Sequence, residues 1–216
     1  MIPYLAFDLD GVLVEGISSW MSVHEAFGVD NEAAHGAYMR GEIDDIQFMI
    51  SDISLWTSSK RVHIDEIRAI LDEVAYVKGA EETVDRVRCM GYRTIIVSGG
   101  LDLLAERVAR DLRMDHVLAN GLETFETGYL TGRGILRVPL RNKAAPLLSL
   151  IRRETHDFHL VSVGNSVVDV PMFKISDISI AFNPEDEQAA FSASLAVQSE
   201  DLTDILQYIP DPSHLA

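Results

Sequence analysis

Apolar and polar positions run through the chain in two rhythms. Residues 2–7 form a short apolar run that predicts a buried strand. A β-branched run at 92–97 predicts a second strand ending at Ser98-Gly99-Gly100, and a helical face follows with Leu101, Leu104, Val108 and Leu112 in register. A short strand is expected around 117–119. Residues 123–135, punctuated by Gly128, Gly132 and Gly134, read as a hairpin. The pattern then predicts a helix over 143–153 with Pro146 in its first turn, a strand at 158–163, and a helix at 168–174. A strand at 178–182 and a last helix at 201–209 follow. Strands alternating with helices imply a doubly wound parallel α/β sheet, Rossmann-like in layout.

The second rhythm occupies residues 16–77, where helical patterns at 18–27, 31–40, 44–56 and 64–76 stand without a convincing strand. Asp65 and Glu66 suit the start of the last of these helices. A helical block inserted directly after the first strand predicts a cap over that strand's carboxyl end. The expected division is an α/β core of 1–15 and 78–216, with a cap of 16–77. Trp20, Phe27, Phe48 and Trp56 either line the cap's inner face or pack within it.

Composition narrows the function. The chain has 216 residues and a formal net charge of −16, from 34 acidic and 18 basic residues. A field of that sign repels nucleic acid and anionic membranes, and no basic patch favours either partner. It also slows a phosphorylated substrate unless the site is locally positive. Only four residues are Lys, so Lys143 at a predicted helix start stands out. Cys89 is alone and forms no intramolecular disulfide; its helical setting predicts a half-buried structural thiol. The seven His residues are scattered without ligand spacing. No apolar stretch approaches the roughly 18 residues that span a bilayer, and the expectation is a soluble, cytoplasmic protein.

The chemistry begins at Phe7-Asp8-Leu9-Asp10-Gly11. Two carboxylates two residues apart at a strand end point to one side and repel, which is costly unless a cation or a phosphoryl group makes use of them. Ligands of open α/β sheets bind outside the carboxyl ends of the strands. Three predicted ends deliver polar clusters there: Asp8 with Asp10, Ser98-Gly99-Gly100, and Gly164-Asn165-Ser166 with Asp169 beyond. For phosphoryl transfer the set has a physical logic. Asp8, ionised near neutrality, attacks phosphorus without a base. Asp10 protonates the leaving oxygen and then activates water. Ser98 and the amides of Gly99 and Gly100 donate to phosphoryl oxygens, and Lys143 supplies a point charge. An Mg2+ held by few protein oxygens neutralises the remainder.

These stretches, together with Gly79-Ala80-Glu81-Glu82-Thr83, Asn165-Ser166-Val167-Val168-Asp169-Val170-Pro171-Met172-Phe173 and Ile180-Ala181-Phe182-Asn183-Pro184, resemble the haloacid dehalogenase-like hydrolases, in the phosphoserine phosphatase branch. The resemblance implies Asp8 as nucleophile, Asp10 as acid/base, and Ser98 and Lys143 as phosphate-binding residues. It also implies metal binding by Asp8, the Asp10 carbonyl and Asn165, with Asp169 in support.

Four positions depart from that pattern. Asn165 stands where the family has a metal-binding Asp, which lowers the charge offered to Mg2+. Val168 replaces an Asn that touches phosphate. Ile17 stands where the branch has a Glu for the substrate amine, and Asp52 stands near the Arg that meets its carboxylate. An Asp facing a substrate carboxylate is repulsive, which counts against phosphoserine as main substrate. The expected function is therefore a Mg2+-dependent phosphomonoesterase acting on a small phosphorylated metabolite, with Asp52 among its substrate contacts. Phosphoserine hydrolysis and phosphotransfer to an alcohol are the alternatives within that chemistry. A non-catalytic binding module on the same fold is the alternative from another class.

Overall fold

The computed structural model describes residues 1–16 and 18–214. Seven strands form one sheet in the order β4-β3-β2-β1-β5-β6-β7: β1 (Ile2–Phe7), β2 (Arg93–Leu101), β3 (His116–Thr124), β4 (Leu130–Ile135), β5 (Phe158–Gly164), β6 (Ile178–Phe182) and β7 (Leu195–Val197). Every pairing is parallel except β3 with β4. The expected doubly wound α/β core is thus present, with one antiparallel edge strand. Alternation along the strands explains why both faces are covered. Leu5 and Phe7 of β1 join one apolar cluster, and Tyr4 and Ala6 join a second on the opposite face.

The inserted block contains α1 (Ser19–Phe27), α2 (Glu32–Met39), α3 (Asp45–Thr57) and α4 (Ile64–Asp72). Local chemistry sets several of their ends. Ser18 accepts from the Trp20 amide at the start of α1, and Asp44 with Gln47 forms a reciprocal capping box at the start of α3. The chain enters and leaves this block along paired segments. The Glu15 amide donates to the Ala75 carbonyl at 2.8 Å, and the Val77 amide donates to that of Leu13 at 3.1 Å. The block also leans on the β3–β4 hairpin, where the Leu130 amide donates to Val62 and the Ile64 amide to Gly128, each at 2.9 Å. Trp56, Ile53 and Ile67 consequently share one continuous apolar cluster with Leu5 and Phe7.

The remaining helices are α5 (Ala80–Cys89), α6 (Asp102–Asp111), α7 (Ala144–Glu154), α8 (Val170–Phe173) and α9 (Glu187–Ser192). Several expectations need correction. The strand expected at 117–119 and the first arm of the hairpin are one strand, β3. Strand β2 continues through Ser98-Gly99-Gly100 to Leu101, its register against β3 shifting between Val97 and Leu101. The fourth inserted helix stops at Asp72, because Val74 to Tyr76 turns back to pair with the outgoing chain near Val14. The helix expected at 168–174 opens as a 3-10 turn, Val167–Asp169, and the last helix is 3-10 over Leu202–Tyr208. Helix α9 and strand β7 are too short to carry a periodic signal. Cys89 is exposed at the end of α5, not half-buried.

Candidate active site

The carboxyl ends of β1, β2 and β5 meet beneath a cavity of about 650 Å³ that lies between the sheet and the inserted helices. Asp8 follows β1 directly. Its amide donates to the Val163 carbonyl at 2.8 Å, tying it to β5, and its Oδ1 accepts from the Leu9 amide at 2.8 Å. Lys143 reaches Asp8 Oδ1 and Asp169 Oδ1, both at 2.7 Å. All three side chains are buried. A cation at the start of a helix gains nothing from the helix dipole, so the two carboxylates hold Lys143 in place at the start of α7. Burial pulls the Lys143 ammonium toward deprotonation, but Asp169 and Asp8 more than reverse this and keep it charged. Burial pushes the Asp8 carboxyl up, with the nearby Asp169 charge adding to it and Lys143 opposing. Asp10 lines the cavity and is pushed up to about 7 by burial, again opposed by Lys143.

The loop after β1 depends on a close approach. Gly11 has φ +75°, and a Cβ there would lie 2.2 Å from Asn165 Nδ2. Ser98 Oγ accepts from the Gly100 amide at 2.8 Å, so that amide is not free as expected; the hydroxyl proton of Ser98 remains available to a ligand. A Cβ at Gly100 would lie 2.7 Å from Asp10 Oδ2 and 2.4 Å from Ser19 Oγ, so the position leaves room only for backbone. Ser19 Oγ in turn donates to Asp10 Oδ2 at 3.5 Å and accepts from the Leu101 amide at 2.9 Å.

On the β5 side, Asp169 accepts from the amides of Asn165 and Ser166 through Oδ2, at 2.9 and 3.1 Å. Both of its oxygens are therefore engaged by the protein. Asn165 Nδ2 donates to Glu185 Oε1 at 3.1 Å. Glu185 is exposed on its outer side, and partial desolvation of its carboxyl, followed by the charge of Asp169, raises it. Val168 lines the cavity at the position where the family pattern has Asn.

Asp8, Asp10, Ser98, Gly99, Gly100, Lys143, Asn165 and the more distant Asp52 all line this cavity, and Asp169 braces it from below. Ile17 lies outside the described residues. Several contributors went unseen in the sequence. Ser19 belongs to the inserted block, and Glu185 follows β6. Asn120 of β3 donates to the carbonyls of Gly99 and Val138 and accepts from the amides of Arg137 and Val138. It thereby fixes the segment that carries Lys143 to the end of β2. The only available sign was a polar residue inside an apolar strand. Trp20 both lines the cavity and packs within the block: Nε1 donates to the Gly99 carbonyl at 3.2 Å, and its ring stacks on Trp56.

The haloacid dehalogenase-like hydrolase family matches residues 5–174. The chain belongs to this family. It lies in the phosphoserine phosphatase-like branch and is an enzyme of phosphatase type. It is 29% identical over 210 residues to a phosphoserine phosphatase of Methanocaldococcus jannaschii, covering 95% of this chain and 96% of that one. It is 26% identical over 208 residues to a phosphoserine phosphatase of Lactococcus lactis subsp. lactis, covering 95% and 94%. A solved phospho-aspartyl intermediate analogue of phosphoserine phosphatase superposes with a TM-score of 0.80 at 27% identity, over 97% of this chain and 99% of that one. Among the described residues, no helix of this haloacid dehalogenase-like hydrolase is long and apolar enough to cross a membrane.

Proposed function

We propose that the chain is a Mg2+-dependent phosphomonoesterase that forms an aspartyl-phosphate on Asp8 and acts on a small phosphorylated metabolite. The observation that carries this reading is Lys143, buried between Asp8 and Asp169 at the floor of the cavity. A cation there draws the phosphoryl group toward a carboxylate that would otherwise repel it.

The donor set suits a small hard cation. Asp8 offers a carboxylate oxygen, Asp10 a backbone carbonyl, and Asn165 an amide oxygen left open because Nδ2 is held by Glu185. The set is thus one carboxylate and two neutral carbonyl oxygens, with the rest of the shell left to phosphate and water. Bound there, Mg2+ would neutralise charge on the phosphoryl oxygens and keep Asp8 ionised. Asp169, with both oxygens engaged, holds Lys143 and the Asn165 loop in position.

In the first step an Asp8 carboxylate oxygen bonds to phosphorus as the ester P–O bond breaks, and Asp10 gives its proton to the departing alkoxide. In the second step Asp10 takes a proton from water. The water oxygen bonds to phosphorus, the acyl-phosphate P–O bond breaks, and Asp8 and inorganic phosphate are released. An Asp10 carboxyl near 7 suits both duties at neutral pH. Ser98 and Lys143 meet the phosphoryl oxygens throughout.

Phosphoserine hydrolysis is the second reading, favoured by the likeness to phosphoserine phosphatases along nearly the full chain. Against it, Lys143 is the single Lys or Arg among the described residues lining the cavity, and the exposed His35 is the one other basic side chain there to meet a substrate carboxylate. Phosphate release from p-nitrophenyl phosphate, with and without Mg2+, tests the main reading. Mg2+-dependent release that falls at least about a thousandfold in Asp8→Asn is expected. Release that survives the substitution refutes the nucleophile, and none from folded wild-type protein at high Mg2+ favours a binding role.

A further inference from the structure

The far wall of the cavity carries a buried carboxylate with no cation to match it. Asp52 of α3 is 3% exposed and lines the cavity opposite the phosphoryl floor. Its Oδ1 accepts from Asn31 Nδ2 at 3.2 Å and lies 3.5 Å from His24 Nε2. The histidine does not supply the missing charge. Trp56 Nε1 donates to His24 Nδ1 at 2.9 Å, so Nδ1 carries no proton and the ring is neutral with its proton on Nε2. Among the described residues, Asp52 Oδ2 takes no hydrogen bond. Asp52 Oδ2 thus faces the cavity unpaired, and a carboxylate with so little surface open to water gains from a cation placed there.

The rest of the wall favours the same kind of partner. Asp30 and Glu32 stand exposed at the rim, and Asp45 lines the side with Oδ1 accepting from Tyr38 and from the Leu140 amide. The nearby arginines are directed elsewhere: Arg40 pairs with Glu42, and Arg141 donates to the Tyr38 carbonyl. Trp20 and Phe48 add aromatic surface, and aromatic faces attract cations.

Resting on the phosphomonoesterase reading, we infer that the leaving group is cationic: the substrate is the phosphomonoester of a short amino alcohol, with its ammonium against Asp52 and its phosphoryl group against Lys143. Such a molecule matches both ends of the cavity with opposite charges. Its positive end also lowers the repulsion that a chain of net charge −16 exerts on an organic phosphate. The volume, about 650 Å³, is of the size that holds a small metabolite.

Three probes isolate the ammonium. They are 2-aminoethyl phosphate, 2-hydroxyethyl phosphate, which exchanges the ammonium for a hydroxyl, and phosphoserine, which adds a carboxylate. The expected result is a kcat/KM for 2-aminoethyl phosphate at least about tenfold above each of the others. Asp52→Asn should lose most of the preference over 2-hydroxyethyl phosphate. Equal turnover of the amino and hydroxy esters overturns the inference, as does faster turnover of phosphoserine, in protein whose p-nitrophenyl phosphate release depends on Asp8. The phosphatase reading then stands and the ammonium reading falls. Where no ester is turned over, calorimetric binding of the same three probes to Asp8→Asn decides. Tighter binding of the amino ester supports the inference and indistinguishable binding refutes it. If Asp52→Asn does not fold, the wild-type order of the probes decides alone.

Discussion

The floor and the far wall of the cavity are built on different principles. On the floor, opposite charges are interleaved: Lys143 lies between Asp8 and Asp169, and the carboxylates take further hydrogen bonds from backbone amides at strand ends. On the wall, Asp52 has only a neutral amide and a neutral ring as partners, and the rest of the lining mixes aromatic, apolar and acidic side chains with His35. On the proposed reading the floor is preorganised for one group, a phosphoryl, whatever it is attached to. The wall is electrostatically incomplete, and on the inference above it takes its complement from the substrate. Chemistry and selectivity are thus separated along one cavity, between the sheet and the helices inserted after β1.

The separation breaks most completely at Lys143. Replacing it in Lys143→Met leaves Asp8 and Asp169 facing each other without a cation. Turnover of p-nitrophenyl phosphate should fall at least about a hundredfold. Uncompensated buried charge should also cost about 3 kcal/mol or more of stability, read from denaturant melts. A loss of turnover under tenfold would show that the floor does not act through this charge.

The wall should respond differently. Trp56→Phe removes the donor to His24 Nδ1 and leaves a buried acceptor unpaired, costing about 1–3 kcal/mol of stability. If the wall holds the leaving group and not the reacting atoms, as inferred above, KM should move more than kcat. A change confined to kcat would mean that wall and floor are not separable.

The smallest effect sharpens the electrostatics of the floor. Asp10 sits near 7 in the folded, metal-free chain against roughly 4 when unfolded. Asp8 is raised in the same direction. Between those values the folded state binds more protons than the unfolded one, so this contribution is largest at low pH and is lost as pH rises through about 7. The metal-free Tm should decline from pH 5 to pH 8, and Mg2+ should flatten the decline by stabilising the ionised carboxylates. Equal slopes with and without Mg2+ would separate the metal from these two residues.

Much of the floor was legible because its residues sit at strand ends and helix starts, where hydrophobic runs stop and polar clusters stand out. Asp8, Asp10, Ser98, Lys143 and Asn165 could be found by that rule. Glu185 could not, since it lies in a loop whose only tie to the site is the fold that brings it to Asn165. Ser19 was hidden for the same reason, being one helix away in a block with its own apolar rhythm. Asp52 was visible as an acidic residue near the substrate end, but its burial was not. An Asp on a helix is ordinarily solvated, and it is the packing of α3 against α1, α2 and the hairpin that removes it from water.

Local order determined the α/β alternation, the helical insertion and the strand-end chemistry, because periodicity and turn residues act over a few positions of the chain. Tertiary structure decided that β2 runs on through Ser98-Gly99-Gly100, that Asp169 serves Lys143, and that His24 faces Asp52 as a neutral ring. Each of those depends on groups tens of residues apart whose desolvation and hydrogen bonding exist only once the chain has closed around them.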